Sequence, residues 1–303
     1  MRSSSNSIGK EREREREINS SQTDKGKCNN CHSANILYIV GIGPGNSDYL
    51  SVRAHEVLKI VDTVAGYSTY IDLVRPLIKG KKIISTAMKK EVDRVESAIK
   101  TALNGQSCAI VSSGDSGIYA MAGLALEMCQ KKRIRIRKTS FESVSEPGGN
   151  ELYIEVIPGI PSLCSGAALL GAPLTHDFAA ISLSDLLTPW DIIENRLEAA
   201  AKADFVVVLY NPKSKKRDWQ IKKAREIMLK YRDKTTPVGV VASAMRKDQR
   251  VELTTLEHLD TVPVNMLTTV FIGNSTSTVY MDFMITPRGY FKKYKIRPEK
   301  AEG

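Results

Sequence analysis

The sequence predicts an α/β protein of two domains, the first built on a mostly parallel sheet and the second on a mixed one. Three observations carry this. The chain has 303 residues, more than one hydrophobic core ordinarily supports. From residue 36 to residue 170, short apolar runs alternate with segments of helical spacing, the pattern of strands joined by crossover helices. Beyond residue 250, three strand-like runs follow one another without a helix between them, so antiparallel hairpins are expected there.

The elements follow in order. Residues 1–35 hold Ser and Asn clusters and the run Lys10-Glu11-Arg12-Glu13-Arg14-Glu15-Arg16-Glu17, with almost nothing apolar to bury; a disordered extension is expected. Ile36-Leu37-Tyr38-Ile39-Val40 ends in glycine and reads as a strand buried on both faces. Leu50, Ala54, Val57, Leu58 and Val61 mark a helix, followed by strands at 63–65 and 82–85. Val92, Val95, Ile99 and Leu103 recur at helical spacing and stop at Asn104-Gly105. Strands are predicted at 108–112 and 152–157 and helices at 118–130 and 162–170, with 131–150 a charged insertion.

Gly171-Ala172-Pro173 then breaks the periodicity. The domains so defined are 36–176 and 177–290, with a basic tail at 291–303. In the second domain, 180–183, 205–210 and 238–242 read as strands, with helices at 190–203 and about 218–231. Runs at 251–255, 268–272 and 279–286 complete its mixed sheet.

The net charge of +10 invites a nucleic-acid reading, but its distribution opposes one. Residues 1–35 carry +2, 131–138 carry +6 and 288–300 carry +5, leaving the remaining chain at −3. Basicity confined to such segments is weak support for an RNA surface or an anionic substrate. Five cysteines form no disulfide scaffold, and a reducing cytoplasm is expected. No run approaches the roughly 20 apolar residues of a membrane span, and no secretory h-region is visible.

Three loops carry the chemistry. Gly41-Ile42-Gly43-Pro44-Gly45-Asn46 follows the first strand but is not G-x-G-x-x-G, because Asn46 occupies the last glycine position. Pro44 also removes an N–H that a phosphate cradle would use. No acidic residue follows about 20 residues on for a ribose. A tight turn bringing backbone close to a flat, uncharged part of a ligand is the reading that survives. Ser112-Ser113-Gly114-Asp115-Ser116-Gly117 and Pro158-Gly159-Ile160-Pro161-Ser162 also sit at strand ends. Asp115 can act through its carboxylate or cap the following helix. Three such loops at successive strand ends imply one shared crevice.

These blocks resemble the signatures of the tetrapyrrole methylases. Gly41-Ile42-Gly43-Pro44-Gly45 with Tyr49-Leu50-Ser51 is similar to the opening signature; Ser113 to Tyr119 and Ile157 to Ser162 are similar to the next two. Pro173-Leu174-Thr175-His176-Asp177-Phe178, the run from Ile181 to Trp190, and Leu209-Tyr210-Asn211-Pro212 resemble the branch that methylates C17 of precorrin-3B or cobalt-factor III in cobalamin synthesis. The resemblance covers about residues 36–290. It implies two α/β domains around a trough, S-adenosylmethionine as cofactor, a tetrapyrrole substrate and a homodimer. By motif, the cofactor would touch Pro44, Gly114, Asp115, Ser116, Ile118, Pro161, Ser162, Tyr210, Asn211 and Ala244; at Ala244 relatives often have glycine.

Methyl transfer from a sulfonium to an electron-rich carbon needs positioning more than a strong base. The ring contraction implied for the C17 branch does need proton transfer. His176, Ser184 and Asp185 are its candidates, against the readings that His176 only bonds across the domain junction and that Asp185 or Thr188 caps the helix beginning near Trp190. Arg246 and Lys247 can meet propionate carboxylates or simply be solvated. Trp190, Cys108, Cys129 and Cys164 read as core residues. Cys28-Asn29-Asn30-Cys31-His32 matches C-x-x-C-H, but it is one ligand short of a closed tetrahedral site, and no metal is expected. The competing functions are a C11 or C20 precorrin methyltransferase, diphthine synthase acting on elongation factor 2, a binder of nucleic acid or acidic partners through 131–138, and a metal-binding role at Cys28.

Overall fold

The computed structural model describes residues 35–87, 90–139, 150–214 and 217–294. Its first half is a parallel sheet. Strands β1 (Ile36–Gly41), β2 (Thr63–Tyr67), β3 (Lys82–Thr86), β4 (Cys108–Ser112), β5 (Arg135–Lys138) and β6 (Glu151–Ile157) lie in the order β3-β2-β4-β1-β6-β5. The alternation of strand side chains explains why β1 is apolar throughout. Leu37 and Ile39 enter a core with helices α3 (Glu91–Leu103) and α4 (Met121–Lys131). Tyr38 and Val40 enter the opposite core with α1 (Val52–Ile60) and α2 (Ser68–Val74). Helices therefore cover both faces. Arg53 of α1 grips Glu155 of β6 through two hydrogen bonds of 2.7 Å. Arg53→Met is expected to cost about 1 kcal/mol in urea unfolding, since the pair is partly solvated.

The second half holds the expected mixed sheet. Strands β8 (Phe178–Ser182), β9 (Val206–Tyr210), β10 (Pro237–Ala242), β11 (Arg250–Thr255) and β12 (Thr268–Ile272) lie in the order β11-β10-β12-β9-β8. Only β8–β9 is parallel. Helices α6 (Trp190–Lys202) and α7 (Gln220–Leu229) cover one face. Trp190 packs there, 4.7 Å from the Trp219 ring, a supporting role in the core as its sequence context implies. Helix α5 (Ser162–Leu170) covers the other face, although the chain order placed it in the first domain. Leu170 joins Val208, Val241, Phe271 and Met284 in one cluster, and a Cβ at Gly166 would meet the Phe271 ring at 2.7 Å. A helix of small residues thus lets the second sheet come close.

Several elements differ from the sequence reading. Residues 131–150 are not wholly an insertion, because Arg135–Lys138 pairs parallel with β6 as the sheet's edge. Its positive charge therefore belongs to the folded body, where Arg137 meets Glu151 at 2.6 Å; charge on an edge strand discourages pairing with other chains. The run 279–286 is a hairpin, β13 (Thr278–Tyr280) and β14 (Phe283–Ile285), turning at Met281 with φ of +52°. Helix α4 starts at Met121, after Tyr119 at φ +52°, rather than at 118. Val92 is exposed, and the buried stripe of α3 runs Val95, Ala98, Ile99, Ala102. Cys164 is exposed on α5, whereas Cys108 and Cys129 are buried. The Pro189 backbone, without a side-chain bond, begins α6, so neither Thr188 nor Asp185 caps it. The junction contains a two-residue strand, β7 (Gly171–Ala172), paired parallel to β14.

Candidate active site

The strand order places β4, β1 and β6 side by side, so the three glycine loops leave neighbouring carboxyl ends. That edge is where open α/β sheets bind ligands. The loops lock onto each other through backbone. Ile42 N–H donates to Ser112 O at 2.9 Å, Gly43 N–H to Gly114 O at 3.1 Å, and Gly114 N–H to Gly43 O at 2.7 Å. These donors are therefore spent between loops and form no phosphate cradle. Gly41 serves loop packing, since a Cβ there would lie 2.6 Å from Gly159 N. Asp115 completes the lock. Its carboxylate accepts from Gly117 N–H at 2.7 Å and from Gly159 N–H at 3.1 Å. It joins two loops and is not the cap of α4.

The second sheet supplies the facing wall. Because β12 runs antiparallel to β9 and β10, its start lies at the same edge as their ends. Tyr210 and Asn211, Val241, Ser243 and Ala244, and Met266 to Thr269 therefore converge across from Pro44, Ser113 to Asp115, and Pro161-Ser162, and together they line one cleft. Three aromatic and cationic contacts hold the halves together. Tyr119 donates its hydroxyl to Ala180 O at 2.9 Å. The Tyr210 hydroxyl accepts from Leu163 N–H at 3.0 Å, and its ring lies 5.1 Å from that of Tyr119. Arg246 donates to Pro44 O at 2.7 Å and to Ser113 Oγ at 2.9 Å. Burial pushes the phenols of Tyr70, Tyr119 and Tyr210 above the usual tyrosine value, so each is a neutral hydroxyl at pH 7. Tyr119→Phe is expected to cost about 1 kcal/mol in urea unfolding, the effect of one net hydrogen bond.

Of the residues nominated for the cofactor, Pro44, Gly114, Asp115, Ile118, Pro161, Ser162, Tyr210, Asn211 and Ala244 line this cleft. Ser116 does not: it is fully buried and donates to Ile157 O at 3.2 Å, tying its loop to β6. The proton-transfer nominees fare differently, for none of the three lines the cleft. The His176 side chain is 46% exposed at the domain junction and accepts from Asp177 N–H. Asp185 is held by Gln220 at 3.0 Å, with Arg217 3.8 Å away. Ser184 donates only its backbone N–H, to Ser182 Oγ. Arg246, named from the sequence as a partner for propionate carboxylates, lines the cleft as well, whereas Tyr70, Tyr119, Ser165, Thr268 and Thr269 are among the lining residues that the sequence did not mark as site groups. Cys28, Cys31 and His32 fall outside the described residues.

The model of the Tetrapyrrole (Corrin/Porphyrin) Methylases matches residues 36–260. The chain belongs to the tetrapyrrole methylases. A cobalt-factor III methyltransferase from Priestia megaterium is 47% identical over 86% of this chain, which spans 46% of that longer protein. A probable cobalt-factor III C(17)-methyltransferase from Salmonella typhimurium is 43% identical over 84% of this chain and 99% of its own length. The crystal structure of the methyltransferase CobJ matches with a TM-score of 0.73 at 30% identity, over 83% of this chain and 99% of that one. In this methylase the β12 side of the cleft lies beyond the matched range, and the structure alone brings it to the site.

Proposed function

We propose that this methylase transfers the methyl group of S-adenosylmethionine to C17 of precorrin-3B or its cobalt-containing counterpart, cobalt-factor III, and promotes the accompanying ring contraction in cobalamin synthesis. The observation that carries the reading is the cleft built by three interlocked glycine loops against Tyr210-Asn211 and Thr268-Thr269. Its donor set fits that cofactor. The lining is hydroxyl-rich and aromatic, the Asp115 carboxylate is already engaged by backbone, and the amides of Gly43 and Gly114 are spent between loops. When bound, S-adenosylmethionine supplies a methyl group already activated at a sulfonium. The Tyr119 and Tyr210 ring faces suit a nearby positive charge.

The chain's own contribution is position. Backbone-locked loops and three cross-sheet ties hold the cleft walls rigid, and well-oriented reactants gain about 7–11 kcal/mol at the favourable limit. The proton-transfer part of the reading shifts away from His176, Ser184 and Asp185, which do not face the cleft. His55, which lines the neighbouring cleft, replaces His176 as the histidine to test. The same reading makes the protein a cytoplasmic homodimer. No helix among the described residues is long and apolar enough to cross a membrane.

Incubation of the purified chain with cobalt-factor III or precorrin-3B and carbon-13 methyl-labelled cofactor tests the assignment. A single labelled methyl at C17 is expected by NMR. Label at C11 or C20 would move the chain to another branch of the family, and label found only in elongation factor 2 would make it a diphthine synthase.

A further inference from the structure

A second cleft of about 980 Å³ lies behind the first glycine loop. It falls at the upper end of the roughly 300–1,000 Å³ typical of small-molecule sites. Its floor is apolar and only half covered: Leu50, Leu73 and Leu77 sit at the edge of the core beneath α1 and α2. Its rim is polar, with His55, Asn46, Arg246, Lys247 and Asp248. The wall between this cleft and the first is thin. Pro44 faces one and Gly45 the other; Ala244 faces one and Met245 the other. Among the described residues, Arg246 alone lines both.

The chain is shaped around that guanidinium. Gly45 has φ of +137°, and a Cβ there would stand 2.8 Å from Arg246 Nε. The third glycine of the opening motif therefore makes room for an arginine lying 201 positions later. On the other side, Ser243 and Met245 take left-handed conformations, φ +50° and +59°. Ser243 Oγ holds Asp248 at 2.7 Å, and Gln249 accepts from Met245 N–H at 2.8 Å. Left-handed residues outside glycine persist where the surroundings over-determine them, and they gather at functional sites. Yet Arg246 has no carboxylate partner among the described residues. Its hydrogen bonds go to a carbonyl and a hydroxyl, through Nε and Nη2, and a guanidinium carries five donors. A half-buried cation without a counter-ion, set between two clefts, is a receptor for a carboxylate.

We infer that Arg246 binds a carboxylate side chain of the macrocycle, whose apolar ring lies against Leu50, Leu73 and Leu77, and so sets the ring edge at the opening into the methyl-donor cleft. This rests on the tetrapyrrole reading above. The carboxylate at the amino-acid end of the cofactor is the other source of the same chemistry, and the test separates the two.

Wild type, Arg246→Gln and Arg246→Lys are compared in steady-state methylation of cobalt-factor III and in calorimetric binding of S-adenosylhomocysteine. Arg246→Gln is expected to raise KM for the macrocycle about 10- to 100-fold and, through the lost ties to Pro44 and Ser113, to weaken S-adenosylhomocysteine by clearly less, at most about tenfold. Arg246→Lys keeps the charge but not the fork to Pro44 and Ser113, and is expected to bring KM back to within about fivefold of wild type. An unchanged KM in Arg246→Gln overturns the inference. Equal losses of macrocycle and cofactor binding also overturn it, because they assign Arg246 to the cofactor or to loop packing; so does a lysine variant as impaired as the glutamine one. A wild-type chain that neither binds nor methylates cobalt-factor III removes the substrate reading itself, an outcome distinguishable because the variants then play no part in it.

Discussion

Replacing Gly159 by alanine is expected to lower stability by about 2–4 kcal/mol and methyl transfer by about 100-fold or more, since overpacking a site with no room forces backbone to move. A Cβ at Gly159 would stand 2.2 Å from Gly114 O and 2.7 Å from Gly41 C. All of these are backbone atoms, and each belongs to a different loop of the lock. No rotamer change relieves such a contact. To admit one methyl group, β6 must separate from the β1 and β4 loops, and the bond from Gly159 N–H to Asp115 must go with it. Urea unfolding and a methyl-transfer assay check the two effects together. Gly123 gives the contrast: it sits within α4, where a Cβ would meet nothing within 4 Å, so Gly123→Ala is expected to add about 0.5–1 kcal/mol. A Gly159→Ala protein with a wild-type midpoint would show that the loops do not pack as a unit.

Tyr210→Ala is expected to reduce kcat/KM by about 100-fold, with a stability loss of about 2–3 kcal/mol, below the range for a fully buried aromatic because Tyr210 is partly buried. The residue is used three times over. Its ring leans on Tyr119 at 5.1 Å, its apolar body packs beside Val208 and Phe271, and its hydroxyl accepts the Leu163 N–H in the first turn of α5. Tyr210→Phe keeps the first two and removes the third, leaving an amide without its acceptor. A smaller loss, near 1–2 kcal/mol in cofactor binding, is expected for it. Steady-state kinetics on both variants separate the ring from the hydroxyl. Equal losses in the two would mean that the α5 amide, not the aromatic wall, is what the cofactor depends on.

The fold was legible where strands are buried on both faces, as at Ile36–Gly41, because a short apolar run ending in glycine suits a central parallel strand and little else. It was illegible where burial is missing. Arg135–Lys138 is an edge strand exposed at every position, so its sequence reads as a charged loop. Helix α2 has seven residues and buries only Ile71 and Val74, too few to show a period. The turn at Met281 uses a left-handed methionine, a conformation that side-chain identity does not announce. The site divides in the same way. Loops that follow strands in sequence announced one wall, since glycines mark where backbone meets backbone. The other wall depends on β12 running antiparallel to its neighbours, which no local pattern encodes. His176 was nominated for its titration range and its place between the domains; the structure keeps it at that junction, outside the cleft.

That junction has a consequence for how the chain reaches its native state. The link between the halves, β7, finds its strand partner only in β14, while the hydroxyl of Thr175 bonds to Thr286 O across 111 residues and Thr286 N–H returns to Ala172 O at 3.1 Å. Contacts of such separation form late, because the closure entropy of a long loop must be overcome before they contribute. During synthesis the first sheet is complete long before its hinge has anything to pair with. The two walls of the cleft are expected to acquire their final spacing last, when the hairpin at the far end of the second half clips the hinge in place.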